Sequence, residues 1–385
     1  MQAGVVGPLG RCSLWRGFTS VRVIAAAAIA VFVAAVASWT LVALDLGLFG
    51  YDFLAYDAAA RRLLDGSPLY DMSHEMAGEF GLYFYPPPFV FLVLPLALGP
   101  PETMVWAWFG LLIAAVVGGI MLMPISTRQK WLILLLAGSS FPVSKALVLG
   151  QVGPLLLLLF ALGWRWLSRD GALAATAAIG AMVKVQPLIV FVWAALVQRW
   201  AVVAIGAVLV GLVAAITTLT AGTQSWIDWV TLLLRVGDPV SQVENVNLGA
   251  LARQAGLDRE VAVALHWLGV GLAAVVWLWI AVHRAPIVGY LATVVTSQLF
   301  SPILWDHYAM VLLVPVAWLL SQRVWWAGIV PLLSPWFLGA SIPHAVSYLS
   351  FWAALALLVL TRAPAAESGG REPLAGASGL RPSRG

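Results

Sequence analysis

Pro86-Pro87-Pro88-Phe89-Val90-Phe91-Leu92-Val93-Leu94-Pro95-Leu96-Ala97-Leu98-Gly99 carries no charge and opens on three prolines. A helix needs ~20 apolar residues to cross the hydrocarbon core of a bilayer, and this run has thirteen before Gly99-Pro100-Pro101 stops it. Consecutive prolines fix an extended backbone and remove N–H donors, so the run reads as a re-entrant or short element. Whether it crosses decides the fold, because it sets the side of every later loop. If it dips without crossing, Arg11, Arg16 and Arg22 share a side with Arg128, Lys130, Arg165, Arg169, Arg199, Arg284, Arg323, Arg362, Arg371, Arg381 and Arg384. If it crosses, the basic turns at 128–130 and 165–169 move to the opposite side. Lys and Arg collect on the cytoplasmic side of membrane proteins, so the dip is preferred, with both termini cytoplasmic and about twelve crossings.

The rest of the chain is built to match. Its 385 residues are 62% hydrophobic and 10% charged, against ~25% charged in soluble domains, and the mean hydropathy is +0.95. This is the composition of an all-α, polytopic membrane protein with no room for a separate soluble domain. Apolar runs fall at 23–44, 103–123, 131–149, 153–168, 172–184, 187–198, 200–221, 261–283, 286–304, 308–322, 324–341 and 345–361. Several are under ~20 residues and are expected to be broken, tilted or re-entrant. Residues 1–22 read as a cytoplasmic tail, 23–361 as the membrane domain, and 362–385 as a disordered cytoplasmic tail rich in Gly, Ser, Pro and Arg. Run 23–44 is too long for the core of a signal peptide and lacks a small-residue cleavage site, so it is kept as an uncleaved first span. The single cysteine, Cys12, excludes a disulfide framework and a thiol-ligated metal site. The net charge of +4 sits in short loops and is a topology signal, not a nucleic-acid footprint.

Two long loops, 45–85 and 222–260, fall on the extracytoplasmic side and are rich in Trp, Tyr, Asp, Asn and Gln, as suits a site at the membrane surface. In the first, Leu54–Leu64 has helix-favouring residues and ends near Gly66, a candidate residue just past the helix end. Asp52 precedes it, where the helix dipole favours a carboxylate; a simple helix cap and a catalytic acid are equally compatible with that spacing. Tyr83-Phe84-Tyr85 ahead of the prolines fits an aromatic belt. Gly150-Gln151-Val152-Gly153-Pro154 forms an external turn whose Gln151 can bond a sugar hydroxyl, although an ordinary tight turn has the same pattern. Lys184-Val185-Gln186-Pro187 joins two short apolar runs. A cation there is costly against lipid and has a phosphate as a natural partner, a snorkelling Lys being the plainer alternative. Ser301-Pro302-Ile303-Leu304-Trp305-Asp306-His307-Tyr308 places an Asp–His pair between apolar helices, a functional pattern or a solvated interfacial turn. His74, His266, His283 and His344 are weaker. No metal quartet, Walker loop or nucleotide-binding glycine pattern is present.

In this order the segments resemble glycosyltransferase family 87, membrane mannosyltransferases of the GT-C superfamily of the phosphatidylinositol-mannoside type. The resemblance rests on Asp52-Phe53-Leu54-Ala55-Tyr56 with Ala58-Ala59, then Gly66-Ser67-Pro68-Leu69-Tyr70-Asp71, and Tyr85-Pro86-Pro87-Pro88-Phe89. It continues through Gly150-Gln151, Lys184 with Pro187, 245–251, and Ser301-Pro302 with Trp305 and His307. It implies a GT-C-like bundle with a long amphipathic first extracytoplasmic loop. It also implies a polyprenyl-phosphate-linked mannose donor and a glycolipid or lipid-linked glycan acceptor at the extracytoplasmic face of the cell membrane. Carried over, Asp52 is the general base, and His307 and Lys184 face the donor phosphate. Tyr56, Tyr85, Gln151, Asn247, Trp305 and Asp306 are substrate contacts. Gly153, Leu304 and Tyr308 depart from the family pattern, the last standing where a second His is frequent.

The resulting expectation is an inverting hexosyltransferase without cofactor or resident metal, although an ion held by Asp52 and Asp57 stays open. The contrasting readings are a transporter or flippase of a lipid-linked sugar and a pentosyl (arabinofuranosyl) transferase of the same superfamily. Transporters place polar groups near the midplane within repeats, whereas here the polar set gathers towards one face.

Overall fold

The computed structural model describes residues 9–241, 244–333 and 345–361, with side chains from Ser20 onward. Residues 1–8 of the expected first tail, the Cys12 side chain, His344, 334–344 of the last two apolar runs and the 362–385 tail lie outside the described residues. The helices are α1 (Leu9–Asp45), α2 (Tyr51–Leu64), α3 (Val90–Val93), α4 (Pro101–Leu122), α5 (Thr127–Gly138), α6 (Phe141–Leu149), α7 (Gly153–Arg165) and α8 (Asp170–Val183). They continue as α9 (Ile189–Leu196), α10 (Trp200–Ala221), α11 (Gln224–Val236), α12 (Leu248–Gln254), α13 (Arg259–His283), α14 (Pro286–Leu299), α15 (Leu313–Ser321) and α16 (Ala345–Leu360). No strand occurs among the described residues.

Several apolar helices make this a membrane protein. Among the described residues, Ser20–Asp45 of α1, with α4, α10 and α13, is long and apolar enough to cross. The apolar windows of α1 and α10 are only 11% and 17% buried, so lipid must cover the remainder. Helices α5 and α6 are long and apolar enough only as a pair, bent by 69°, which is the form of a broken span or a re-entrant loop. The sequence reads as one run over 131–149; the break falls where Ser139 and Ser140 precede Pro142, whose ring and missing N–H interrupt the helical ladder. The remaining apolar runs form shorter helices. Residues 288–299 of α14 are buried throughout, with Thr293, Thr296, Ser297 and Gln298 among them.

The proline-rich run folds into three pieces: a 3-10 turn Pro87–Phe89, the single turn α3, and a second 3-10 turn Leu96–Leu98. At 1.5–2.0 Å rise per residue such a stretch spans about 20 Å, short of the ~30 Å hydrocarbon core. Phe89, Val90, Val93 and Ala97 are buried, packed against α2, α8 and α10. The run therefore acts as a support under α2. The second long loop is not irregular: it contains α11 and α12. Trp229 of α11 donates its indole N–H to the Phe84 carbonyl at 3.1 Å, and the Arg235 guanidinium bonds the Met72 carbonyl at 2.6 Å, so the two loops are fastened together.

Candidate active site

Helix α2 begins at Tyr51, three residues earlier than its sequence suggests. Gly50 is its N-cap at φ 74°, offers no side-chain cap, and donates its N–H to the Val148 carbonyl at 2.8 Å. Asp52 lies in the first turn rather than at the cap, so the capping alternative fails: the carboxylate is free for another purpose. Gly66, at φ 69°, follows the C-cap Asp65 as expected. Asp52 is partly buried and accepts a hydrogen bond from the Gln151 side chain. Gln151 in turn accepts from the Tyr85 hydroxyl at 3.0 Å, and Tyr85 accepts from the Tyr56 hydroxyl at 2.9 Å. A polar chain thus runs from α2 to the turn after α6 and back to the aromatic segment. Tyr56 is fully buried, so it braces Tyr85 rather than facing a ligand. Burial pushes the Asp52 carboxyl up to about 7, against the opposing pull of Gln151, Lys184 and Lys145; burial here outweighs the helix dipole. Asp57 is tied to Arg61 Nε at 2.7 Å, and among the described residues no cluster of three metal-ligating side chains occurs.

Gly150 sets the distance between this turn and α2. It sits at φ +78°, and a Cβ there would lie 3.0 Å from Phe53 Cβ and 3.2 Å from Phe53 N, beside Asp52. Its carbonyl accepts the Trp108 indole N–H at 2.8 Å. An alanine in the left-handed region costs ~1–2 kcal/mol, and an added methyl in a filled contact costs ~1–3 kcal/mol more. Gly150→Ala is therefore expected to lower the thermal unfolding midpoint in detergent, which thermal unfolding of the two proteins checks. Gly150 is not part of the cavity wall described next.

Beyond Tyr85 lies an apolar cavity of about 730 Å³. Its wall comes from the α8–α9 break, α11, α13, α14 and the 300–308 segment, with Trp229, Trp267 and Trp277 contributing indole faces. Lys184 is the only charged residue among those lining it. It lies where α8 ends in extended backbone, φ −157° and ψ 145°, ahead of the 3-10 turn Gln186–Leu188 containing Pro187. The proline that ends the helix thus delivers the cation to the cavity. Lys184 Nζ stands 3.6 Å from the centroid of the Tyr308 ring and 5.8 Å from that of Tyr85. Asp52 is outside the cavity wall and is linked to it through Gln151 and Tyr85.

Within the 301–308 segment residues 303, 304 and 306–308 are buried, and the segment is held by two asparagines. Asn245 donates to the carbonyls of Pro239 and Pro302 at 2.9 and 3.0 Å and accepts from Leu304 N at 2.9 Å. Asn247 also donates to Pro239 and Pro302 and accepts from Ala250 N at 2.8 Å, capping α12. Asn247 is expected from sequence as a substrate contact; its amide is spent on scaffolding instead. Asp306 is likewise engaged: Lys145 Nζ reaches its two carboxylate oxygens at 3.0 and 3.1 Å, and the His307 backbone N–H bonds it at 2.7 Å. His307 is buried, stacked 6.2 Å from Trp305 and edge-on to Tyr308 at 5.0 Å, and is absent from the cavity wall. The structure brings Asp52, Gln151, Tyr85 and Lys184 together, and sets Tyr56, Asn247, Asp306 and His307 behind them. Sequence reasoning missed Lys145, whose partner lies 161 positions away, and the role of Tyr308 under Lys184.

The model of glycosyltransferase family 87 matches residues 83–302, more than half of the chain. The chain belongs to glycosyltransferase family 87. No curated protein matches it in sequence. The family 87 match takes in Tyr85, Gln151, Lys184 and the whole cavity wall except Ile303 and Tyr308. Asp52 and the Asp306–His307 pair fall outside it, so their roles rest on geometry. Membership of family 87, with the apolar helices, identifies a membrane glycosyltransferase and favours the enzyme reading over pure transport.

Proposed function

We propose that the protein moves a hexose, mannose by family resemblance, from a polyprenyl-phosphate sugar to a lipid-linked glycan acceptor. The site would face the extracytoplasmic side of the cell membrane, in a GT-C-like bundle of about twelve crossings with both termini cytoplasmic. The observation that carries this reading is the apolar cavity with a single cation in its wall, Lys184, joined to Asp52 through Tyr85 and Gln151. Apolar walls suit an isoprenoid chain, and one ammonium matches the one negative charge of a phosphodiester. A nucleotide sugar would leave two charges against one cation and a polar base against indole and leucine.

The reaction follows from these positions. Asp52 takes the proton of an acceptor hydroxyl as its oxygen attacks the anomeric carbon. The bond from that carbon to the phosphate oxygen breaks, the configuration inverts, and polyprenyl phosphate leaves with its added charge facing Lys184. His307, expected from sequence to share this role, is buried behind Tyr308 and away from the cavity wall, so the phosphate contact falls to Lys184. Purified full-length protein, incubated in detergent with polyprenyl-phosphate-mannose and a lipid mannoside, is expected to yield the elongated mannoside. Product formed without vesicles is incompatible with pure transport; product formed only from a pentose donor would replace the hexose assignment.

A further inference from the structure

Lys184 and Lys145 are held in opposite ways. Lys145 is paired with Asp306 at 3.0 Å and lies 3.9 Å from Glu244. Lys184 has no ion pair within contact distance among the described residues, the Asp52 charge acting on it only from further off, and its closest described ring partner is the face of Tyr308 at 3.6 Å, with Tyr85 at 5.8 Å. Both tyrosines and the lysine line the same cavity. A cation over an aromatic face is stabilised by the ring quadrupole without being neutralised. A carboxylate in that place would satisfy the ammonium and repel an incoming phosphate.

The Tyr308 ring is itself fixed. Its backbone N–H bonds the Trp305 carbonyl at 3.0 Å, its edge meets the His307 ring at 5.0 Å, and the segment is clasped by Asn245 through Pro302 and Leu304.

We propose that Tyr308 is a positioning residue for donor recognition: its ring holds the Lys184 ammonium in the cavity, charged and uncommitted, until a lipid phosphate arrives. The inference rests on the reading of the cavity as the donor site and goes beyond it. The ring face is the working part, so the hydroxyl is dispensable and the aromatic ring is not.

The test uses purified full-length protein and a polyprenyl phosphate, the leaving group itself, with binding followed by the fluorescence of the cavity tryptophans. Tyr308→Phe keeps the face and is expected to bind within about twofold of wild type, whereas Tyr308→Leu should weaken binding about five- to tenfold. Tyr308→Met fills the space without a π face and serves where the leucine variant fails to fold. In a Lys184→Gln background the Tyr308 change should add nothing, since the pair acts as a unit. Equal losses in the Phe and Leu variants, no loss in Leu or Met, or additive losses in the double variant would each overturn the role of Tyr308. If wild type binds no polyprenyl phosphate, or Lys184→Gln binds it like wild type, the donor-site reading itself fails, and Tyr308 with it.

Discussion

Asp52→Asn is expected to reduce glycosyl transfer by about 10²–10⁴-fold, the range for loss of a positioned general base, without loss of fold. Asn keeps the shape and the hydrogen-bonding partner of Gln151 but cannot accept the acceptor's proton. The stability side has a definite sign. Burial raises the carboxyl from 3.8 to about 7 in the folded protein, so the neutral form is the one the fold prefers. Its stabilisation is fully present below the unfolded value and is lost as the pH rises through about 7, above which the charged carboxylate is carried at a cost. A permanently neutral Asn escapes that cost, so the variant should unfold at the same temperature or higher at pH 8. Activity has the opposite dependence: the wild type needs the ionised base, and kcat should climb as the pH rises through about 7 and then level. The measurements are a pH–rate profile from pH 5 to 9 and thermal unfolding of both proteins. A variant that transfers sugar at the wild-type rate, or a wild-type profile flat across neutrality, would remove Asp52 from the role.

The sequence was most informative where physics acts locally. Apolar runs ending at Pro and Gly mark the helices, because a missing N–H or a left-handed turn stops a helix regardless of its surroundings. The fourteen residues of 86–99 are too few to span, and they fold as three short pieces. Lys184 ahead of Pro187 reads as a cation at a helix break and is one. Pairings across the chain were out of reach. Nothing near Asp306 indicates that Lys145 will neutralise it, and nothing near Asn247 shows that its amide will be taken by Pro239 and Pro302. The same limit hid the geometry of one run: 131–149 has the composition of one crossing, Pro142 marks where it can break, and the 69° bend is set by packing against α1. Gly138 lies so close to α1 that a Cβ would fall 2.7 Å from Phe32 Cα. A polar residue in an apolar chain thus announces that it matters, while whether it meets a substrate or another residue is a tertiary fact.

Lys184→Gln should be the second severe lesion, and its effect should fall on kcat more than on donor KM. In the ground state the donor phosphodiester carries one charge, and among the described residues lining the cavity Lys184 supplies the only charged side chain. As the anomeric carbon separates from the phosphate oxygen, a second negative charge develops there, so the ammonium gains most in the transition state. Removing a preorganised electrostatic partner of this kind costs about 10²–10³ in kcat, while the apolar wall continues to hold the chain. Lys184→Arg restores charge, and a guanidinium can stack on Tyr308 as the ammonium does, so it should recover most of the activity. Steady-state kinetics on the three proteins, varying donor and acceptor separately, separates the cases. A Gln variant with wild-type kcat, or an Arg variant as impaired as Gln, would mean that the charge at this position does not meet the leaving phosphate.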